Sequence, residues 1–146
     1  NYIQRKLMDI NYHIYGSTKY FEKYGMPKTL SDLNKHKFIS FGRGAPSPVF
    51  NPDWALKLGM KDNKKRKTVM RVNSVMGLLL AVESGVGLAA LPDYIVSLSN
   101  NVIKVLPKVE GPITEAHFVF PESLKNVARV TIFRNFLYSK ISEFKS

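Results

Sequence analysis

Cysteine is absent from this sequence, which excludes a disulfide framework and any thiolate metal site. A chain without cysteine suits a reducing compartment, and a cytoplasmic location is the expectation. No apolar run reaches the roughly 18 residues that a membrane-spanning helix needs, and the longest candidate, Val75–Val82, has the length of a core segment. The opening Asn1-Tyr2-Ile3-Gln4-Arg5-Lys6 has no hydrophobic stretch behind its charges, so no signal peptide is expected there. It also lacks a starting methionine, which suggests a piece of a longer protein. Acidic residues are scarce, 11 against 22 basic, for a net charge of +11.

Such a charge invites a nucleic-acid reading, but its distribution is uneven. Basic residues are frequent from Arg5 to Arg71 and from Lys104 to Lys145, and missing from Val72 to Ile103. Five crowd into Lys61-Asp62-Asn63-Lys64-Lys65-Arg66-Lys67. That run reads as a solvated hairpin loop, with a phosphate-binding patch as the alternative.

Catalytic chemistry finds little support. His13, His36 and His117 are scattered, none with a partner at metal-ligand spacing, so surface or satisfied core histidines are expected. The carboxylates from Asp9 to Glu143 show no acid/base spacing. For Glu83 and Asp93, solvent exposure or helix capping is the default. Gly85-Val86-Gly87 ends a helix instead of opening one, so it is no dinucleotide fingerprint. No catalytic residue, metal or cofactor is expected.

What is present is an alternation of strands and helices. Tyr12–Tyr15 reads as a strand ending at Gly16. Ser17 caps a short helix through Tyr24, which Gly25 terminates. Thr29 can cap a second, Leu30–His36, with Asp32 completing a capping-box variant. Lys37–Phe41 reads as a buried strand, followed by an irregular loop through Gly42-Arg43-Gly44-Ala45-Pro46-Ser47-Pro48. Thr68–Val72 is the next strand, and Ser74–Ser84, apolar almost all round, is a helix buried on most sides. Gly85 stands at its left-handed end. Val86–Leu91 reads as a short buried strand, with Pro92 opening the helix Asp93–Leu98. Val102–Leu106 and Glu115–Phe120 complete the strands. Ser123 can cap a last helix, striped by Leu124, Val127, Val130, Phe133, Leu137, Ile141 and Phe144.

This pattern implies a layered α/β fold with a largely parallel sheet. Ligands in such sheets sit beyond the carboxyl ends of strands, where helices begin. Gly16-Ser17 and Asn73-Ser74 are two such junctions, and each offers backbone N–H groups suited to an anion.

Five segments in order carry a family resemblance. They are Tyr15–Pro27 with its Gly25-Met26-Pro27, then Leu30–Ile39, then Val72-Asn73-Ser74 opening a buried helix, then Gly85-Val86-Gly87-Leu88-Ala89-Ala90-Leu91-Pro92-Asp93, and finally Phe118–Pro121 with the last helix. Together they resemble the effector domain of LysR-type transcriptional regulators from about Ile10 to Phe144. The resemblance implies a periplasmic-binding-protein-like (type 2) α/β fold, with the second lobe complete at about 12–112. The C-terminal part of the first lobe would remain at 1–11 and 113–146. It implies a small-molecule effector held between lobes, a DNA-binding domain missing from this chain, a homo-oligomer and no membrane association. Carried over residue by residue, the effector contacts of the second lobe fall on Ser40, Phe41, Gly42, Arg43, Asn73, Ser74 and Val75. Arg43 and the helix start favour an anionic effector. A solute-binding protein of a transporter shares the fold and stands as the alternative; an enzyme on the same scaffold is the third reading.

Overall fold

The computed structural model describes residues 1–42 and 51–145. Its elements in order are β1 (Tyr2–Ser17), α1 (Thr18–Tyr24), β2 (Phe38–Phe41), α2 (Trp54–Lys57), β3 (Thr68–Val72), α3 (Val75–Glu83), β4 (Ala89–Pro92), α4 (Asp93–Val96), β5 (Val102–Val105), β6 (Ile113–Pro121) and α5 (Ala128–Lys145). They form two compact units, Asn11–Ile113 and Asn1–Ile10 with Thr114–Ser146. Strand β1 contributes residues to both.

In the larger unit, β1 lies between β4 and β5 and runs antiparallel to each, with Ile14 opposite both Ala90 and Val105. β2 and β3 pair in parallel. Two backbone bonds attach β2 to the segment leading into β4: Leu88 donates to Lys37 O and Ile39 donates to Leu88 O, each at 2.8 Å. The largely parallel sheet expected from the helix–strand alternation is therefore mixed. Strands linked through helices run alike, but β1 is met by strands far along the chain and enters against them.

Alternation along the strands sends neighbouring side chains to opposite faces, and both faces are covered. Tyr15, Ile39, Phe41, Ala89 and Leu91 pack with Leu78, Leu79 and Val82 of α3 and Ile95 of α4. Ile14, Phe38, Leu88 and Val105 pack with Tyr20 of α1, Leu33, and Ala55 and Leu56 of α2. Ile14, Leu33, Phe38, Leu88, Leu91 and Val105 are fully inaccessible. Each such side chain contributes roughly 1.5–3 kcal/mol by leaving water. This two-sided burial is why these strands read as continuous apolar runs.

Caps set the helix ends. Ser17 Oγ accepts from Tyr20 N at α1, and Ser74 Oγ accepts from Gly77 N at α3. Gly25 and Gly85 follow with positive φ, 74° and 77°, backbone that costs a side-chain-bearing residue about 1–3 kcal/mol. Thr29 and Asp32 bond reciprocally, Asp32 N to Thr29 Oγ1 and Thr29 N to the Asp32 carboxylate. The helix expected over Leu30–His36 is only a 3-10 turn, Asp32–Lys35. The strand expected from Val86 begins at Ala89, and Pro92 ends it as the residue before α4. Ser123 caps nothing: it lies in a 3-10 turn, Glu122–Leu124, and α5 starts at Ala128.

The smaller unit consists of the first part of β1, its partner β6, and α5. Of the expected apolar stripe, Leu124, Val127, Val130, Leu137 and Ile141 are half-buried. Phe133 is 52% exposed, although its ring meets Phe118 edge-on at 5.8 Å. Phe144 lies outside the residues whose side chains are described. No described helix is long and apolar enough to cross a membrane.

One bond chain makes the larger unit sensitive to pH. Lys37 N donates to Tyr20 Oη at 2.9 Å, and Tyr20 Oη lies 3.1 Å from His36 Nδ1. The phenol, already accepting from Lys37 N, can place its own proton on Nδ1 when the imidazole is neutral. Burial holds the His36 pKa below its ordinary 6.5, outweighing the nearby Asp32 carboxylate. The unfolded chain therefore takes up this proton first, and stability is lost as pH falls from about 6.5 toward the depressed folded value. Thermal melts at pH 7.5 and 5.5 should show a larger drop for the native chain than for His36→Gln. Equal drops would remove His36 as a source of the pH dependence.

Candidate functional site

The carboxyl ends of β2 and β3 meet in register. Phe41 is opposite Val72, and Gly42 N donates to Val72 O at 2.8 Å. Residues separated by thirty positions are thereby fixed side by side, with Asn73-Ser74 leading directly into α3. Of the expected site residues, Ser40 and Phe41 are buried, Gly42 and Val75 half-buried, and Asn73 and Ser74 exposed. Arg43, like the remainder of the loop to Phe50, lies outside the described residues.

Ser40, Phe41 and Val75 also line a pocket with Tyr12, Phe38, Ile39, Pro52, Trp54, Ala55, Leu56, Leu78, Ala90 and Pro92. Its volume is about 30 Å³, and it is partly open to its surroundings. Gly42, Asn73 and Ser74 do not line it. The structure thus brings the two expected clusters together and adds an apolar pocket to them.

Ser40 is not idle. Its Oγ donates to Asp53 Oδ1 at 2.8 Å, and the same carboxylate receives Lys65 Nζ at 3.1 Å and Arg71 Nη1 at 3.2 Å. Arg71 Nη1 also donates to Phe41 O at 2.7 Å, bracing the end of β2. Burial pushes the Asp53 carboxyl upward in pKa, but the bonds from Ser40, Lys65 and Arg71 together hold it below its ordinary value. It is ionised at neutral pH, so one negative charge faces two positive ones beside the pocket.

Trp54 carries the other polar feature. Its Nε1 is buried and has no hydrogen-bond partner among the described residues, a condition that costs about 1–3 kcal/mol and that native proteins rarely tolerate. Sequence reading missed Asp53, Trp54 and Arg71. Nothing in their local spacing marks them, because their neighbours come from other strands.

The expectation for Asp93 requires correction. Instead of capping α4 or facing solvent, its carboxylate gathers His13 Nδ1 and Tyr15 Oη, both at 2.8 Å, and Lys104 Nζ at 3.3 Å. Burial raises the Asp93 pKa, yet the bonds from His13 and Tyr15 outweigh it and keep the group below its ordinary value. Burial, reinforced by Asp93, pushes the Tyr15 phenol upward. The cluster pins the β4–α4 junction to β1. Among the described residues, no three His, Asp or Glu side chains converge as metal ligands would.

The basic run also divides. Lys61, Lys64, Lys65 and Lys67 are exposed, on a turn whose Asp62 and Asn63 adopt left-handed backbone. Arg66 is buried, with 8% of its surface exposed. It donates to Asn34 Oδ1 at 2.9 Å and to Leu58 O at 2.7 Å, with longer bonds to Leu30 O and Ala55 O.

A mixed sheet covered on both faces, with two parallel strands ending beside a pocket, is an architecture of the periplasmic-binding-protein-like type. The chain belongs to the LysR substrate binding domain family, whose model matches residues 1–141. It is 26% identical over 133 residues to an uncharacterised HTH-type transcriptional regulator of Haemophilus influenzae, covering 88% of this chain and 45% of that protein. The chain thus spans about half the length of that relative. In fold it is similar to the regulatory domain of CrgA, a LysR-type transcriptional regulator from Neisseria meningitidis. That likeness has a TM-score of 0.77 at 21% identity, over 94% of this chain and 68% of that one. It is also similar to the full-length virulence activator AphB of Vibrio cholerae, with a TM-score of 0.66 at 15% identity, over 94% of this chain and 47% of that one.

Proposed function

We propose that this chain is the effector-sensing part of a bacterial LysR-type transcriptional regulator, contributing the second lobe's share of a small-molecule site. The observation that carries the reading is the register of β2 and β3, which joins Ser40, Phe41 and Gly42 to Asn73, Ser74 and Val75 beside an apolar pocket. On this reading residues 11–113 correspond to the second subdomain, and the smaller unit to a portion of the first. The whole protein would be a cytoplasmic homo-oligomer that reaches DNA through a helix-turn-helix domain outside this chain. Effector binding shifts the regulator between states for which the ligand has different affinities. The ligand leaves unchanged, with no catalytic turnover.

An anionic effector suits the site. The N-terminus of α3 favours negative charge, Arg43 follows the end of β2 in sequence, and the Asp53 cluster has one carboxylate against Lys65 and Arg71. A charge-assisted bond is worth about 1.5–3 kcal/mol, so Arg43→Ala should weaken binding about tenfold or more. Calorimetry of a panel of small organic acids, on a chain extended upstream to the length of the Haemophilus relative, is the test. A bound acid indifferent to both Arg43→Ala and Ser40→Ala would place the effector elsewhere and overturn this assignment.

A further inference from the structure

We propose that Ser40, Lys65 and Arg71 form a carboxylate subsite, and that the chain's own Asp53 occupies it until an effector carboxylate takes its place. The proposal rests on the effector reading above. It names the chemistry of one end of the ligand and the internal contact with which that ligand competes.

Three observations converge. The donors come from three places in the sequence, the end of β2, the basic turn and β3, yet all meet on one carboxylate. Ser40 Oγ at 2.8 Å and Arg71 Nη1 at 3.2 Å reach Oδ1, and Lys65 Nζ reaches Oδ2 at 3.1 Å. A ligand carboxylate offers the same two oxygens, so donors that suit Asp53 suit it equally. The cluster is also open to exchange. The side chains of Lys65, Arg71 and Asp53 are 45%, 22% and 16% exposed, and an ion pair as wet as that of Lys65 is worth little. Finally, the cluster stands beside an apolar wall. Ser40 lines the pocket, as do Pro52 and Trp54 on either side of Asp53. The ionic bonds lost and gained in the exchange are alike, so hydrocarbon attached to the ligand carboxylate, buried against that wall, decides the competition. A bare anion has no such gain.

Asp53 also has a second place to go. It holds the position before α2, where aspartate is among the favoured caps, yet its side chain makes no bond to that helix. Released from the donors, its carboxylate can turn to the helix start.

The probe is acetate, with acetamide as the uncharged control at constant ionic strength, followed at the Ser40 and Val75 amides of the ¹⁵N-labelled chain. The native chain should bind acetate weakly. Asp53→Ala should bind it about tenfold more tightly or better. Asp53→Asn, which keeps the shape and removes the charge, should share part of the gain, and Asp53→Ala combined with Arg71→Gln should lose it. In the native chain, acetate raised to saturation should move the Asp53 carboxylate ¹³C resonance. That reading needs no substitution and decides the matter even where Asp53→Ala fails to fold. An acetate affinity that neither Asp53 variant raises, or a ¹³C signal indifferent to bound acetate, overturns the proposal. So does acetamide bound as tightly as acetate by Asp53→Ala. Should the Ser40 and Val75 amides respond to acetate in those cases, Asp53 loses its role and the effector site remains. Failure of that site itself is read separately, in the organic-acid panel with Arg43→Ala and Ser40→Ala.

Discussion

Gly87→Ala is expected to lower the melting temperature by on the order of 10 °C, the result of overpacking a backbone that cannot yield. A Cβ at Gly87 would stand 2.6 Å from Lys37 O and 3.1 Å from Lys37 C. That carbonyl also receives Leu88 N, in the bond pair that attaches β2 to the segment before β4. The added methyl must therefore force the paired backbones away from each other instead of turning a side chain aside. Overpacking of this kind costs about 1–3 kcal/mol, occasionally more. Gly77→Ala, inside α3, is the control. Its added carbon would meet only Ser74 Cβ and the Val72 side chain, at 3.5 Å or more, and alanine inside a helix should leave stability unchanged or raise it by about 0.5–1 kcal/mol. Equal melting temperatures for the two variants would show that β2 and its neighbour separate easily, and that their pairing adds little to stability.

Arg66→Met should destabilise the larger unit by about 3 kcal/mol, since charge-assisted bonds of about 1.5–3 kcal/mol are lost and carbonyls are left buried. Methionine keeps the length of the stem and its packing near the Phe38 ring, over which the guanidinium sits at 5.7 Å. It cannot replace the donors that reach Asn34, Leu58, Ala55 and Leu30. Arg66→Lys should recover only some of the loss, because an ammonium group lacks the planar fork that spans several carbonyls. Lys64→Met, at an exposed position of the same run, should change stability by no more than about 0.5 kcal/mol. Urea unfolding of the four chains separates these outcomes. Similar midpoints for Arg66→Met and Lys64→Met would mean that the carbonyls around Arg66 find water instead.

Local chemistry made much of the larger unit legible. Ser17 with Gly25, and Ser74 with Gly85, bracket helices by cap and left-handed residue, both of which are local signals. Thr68–Val72 stands out because β-branched residues follow a polar turn. The beginning of β1 was not legible: Gln4-Arg5-Lys6 and Asp9 break any apolar pattern, and that strand exists because β6 pairs with it. The direction of β1 against β4 and β5 is likewise a property of distant pairings. Arg66 has the same local surroundings as the lysines beside it, and only tertiary packing turns it inward. The Asn73-Ser74 junction was visible as a helix start, and the end of β2 as a loop. Their adjacency awaited the register, and Asp53, Trp54 and Arg71 awaited the fold that gathers them.

Strand β1 also dictates when the larger unit can form. It is made early, yet the strands that flank it there, β4 and β5, lie beyond residues 18–88. Until that stretch is present, Ile14 and Tyr15 have neither ladder partners nor the covering side chains of Leu88, Leu91 and Val105. Loop-closure entropy must be met before those contacts stabilise anything, and pairings so distant in sequence slow folding. On a ribosome, β1 therefore stays without these partners until β4 has emerged, and one of its edges stays open until Val105 has. Chain truncated before β5 should be prone to misassembly and chaperone-dependent.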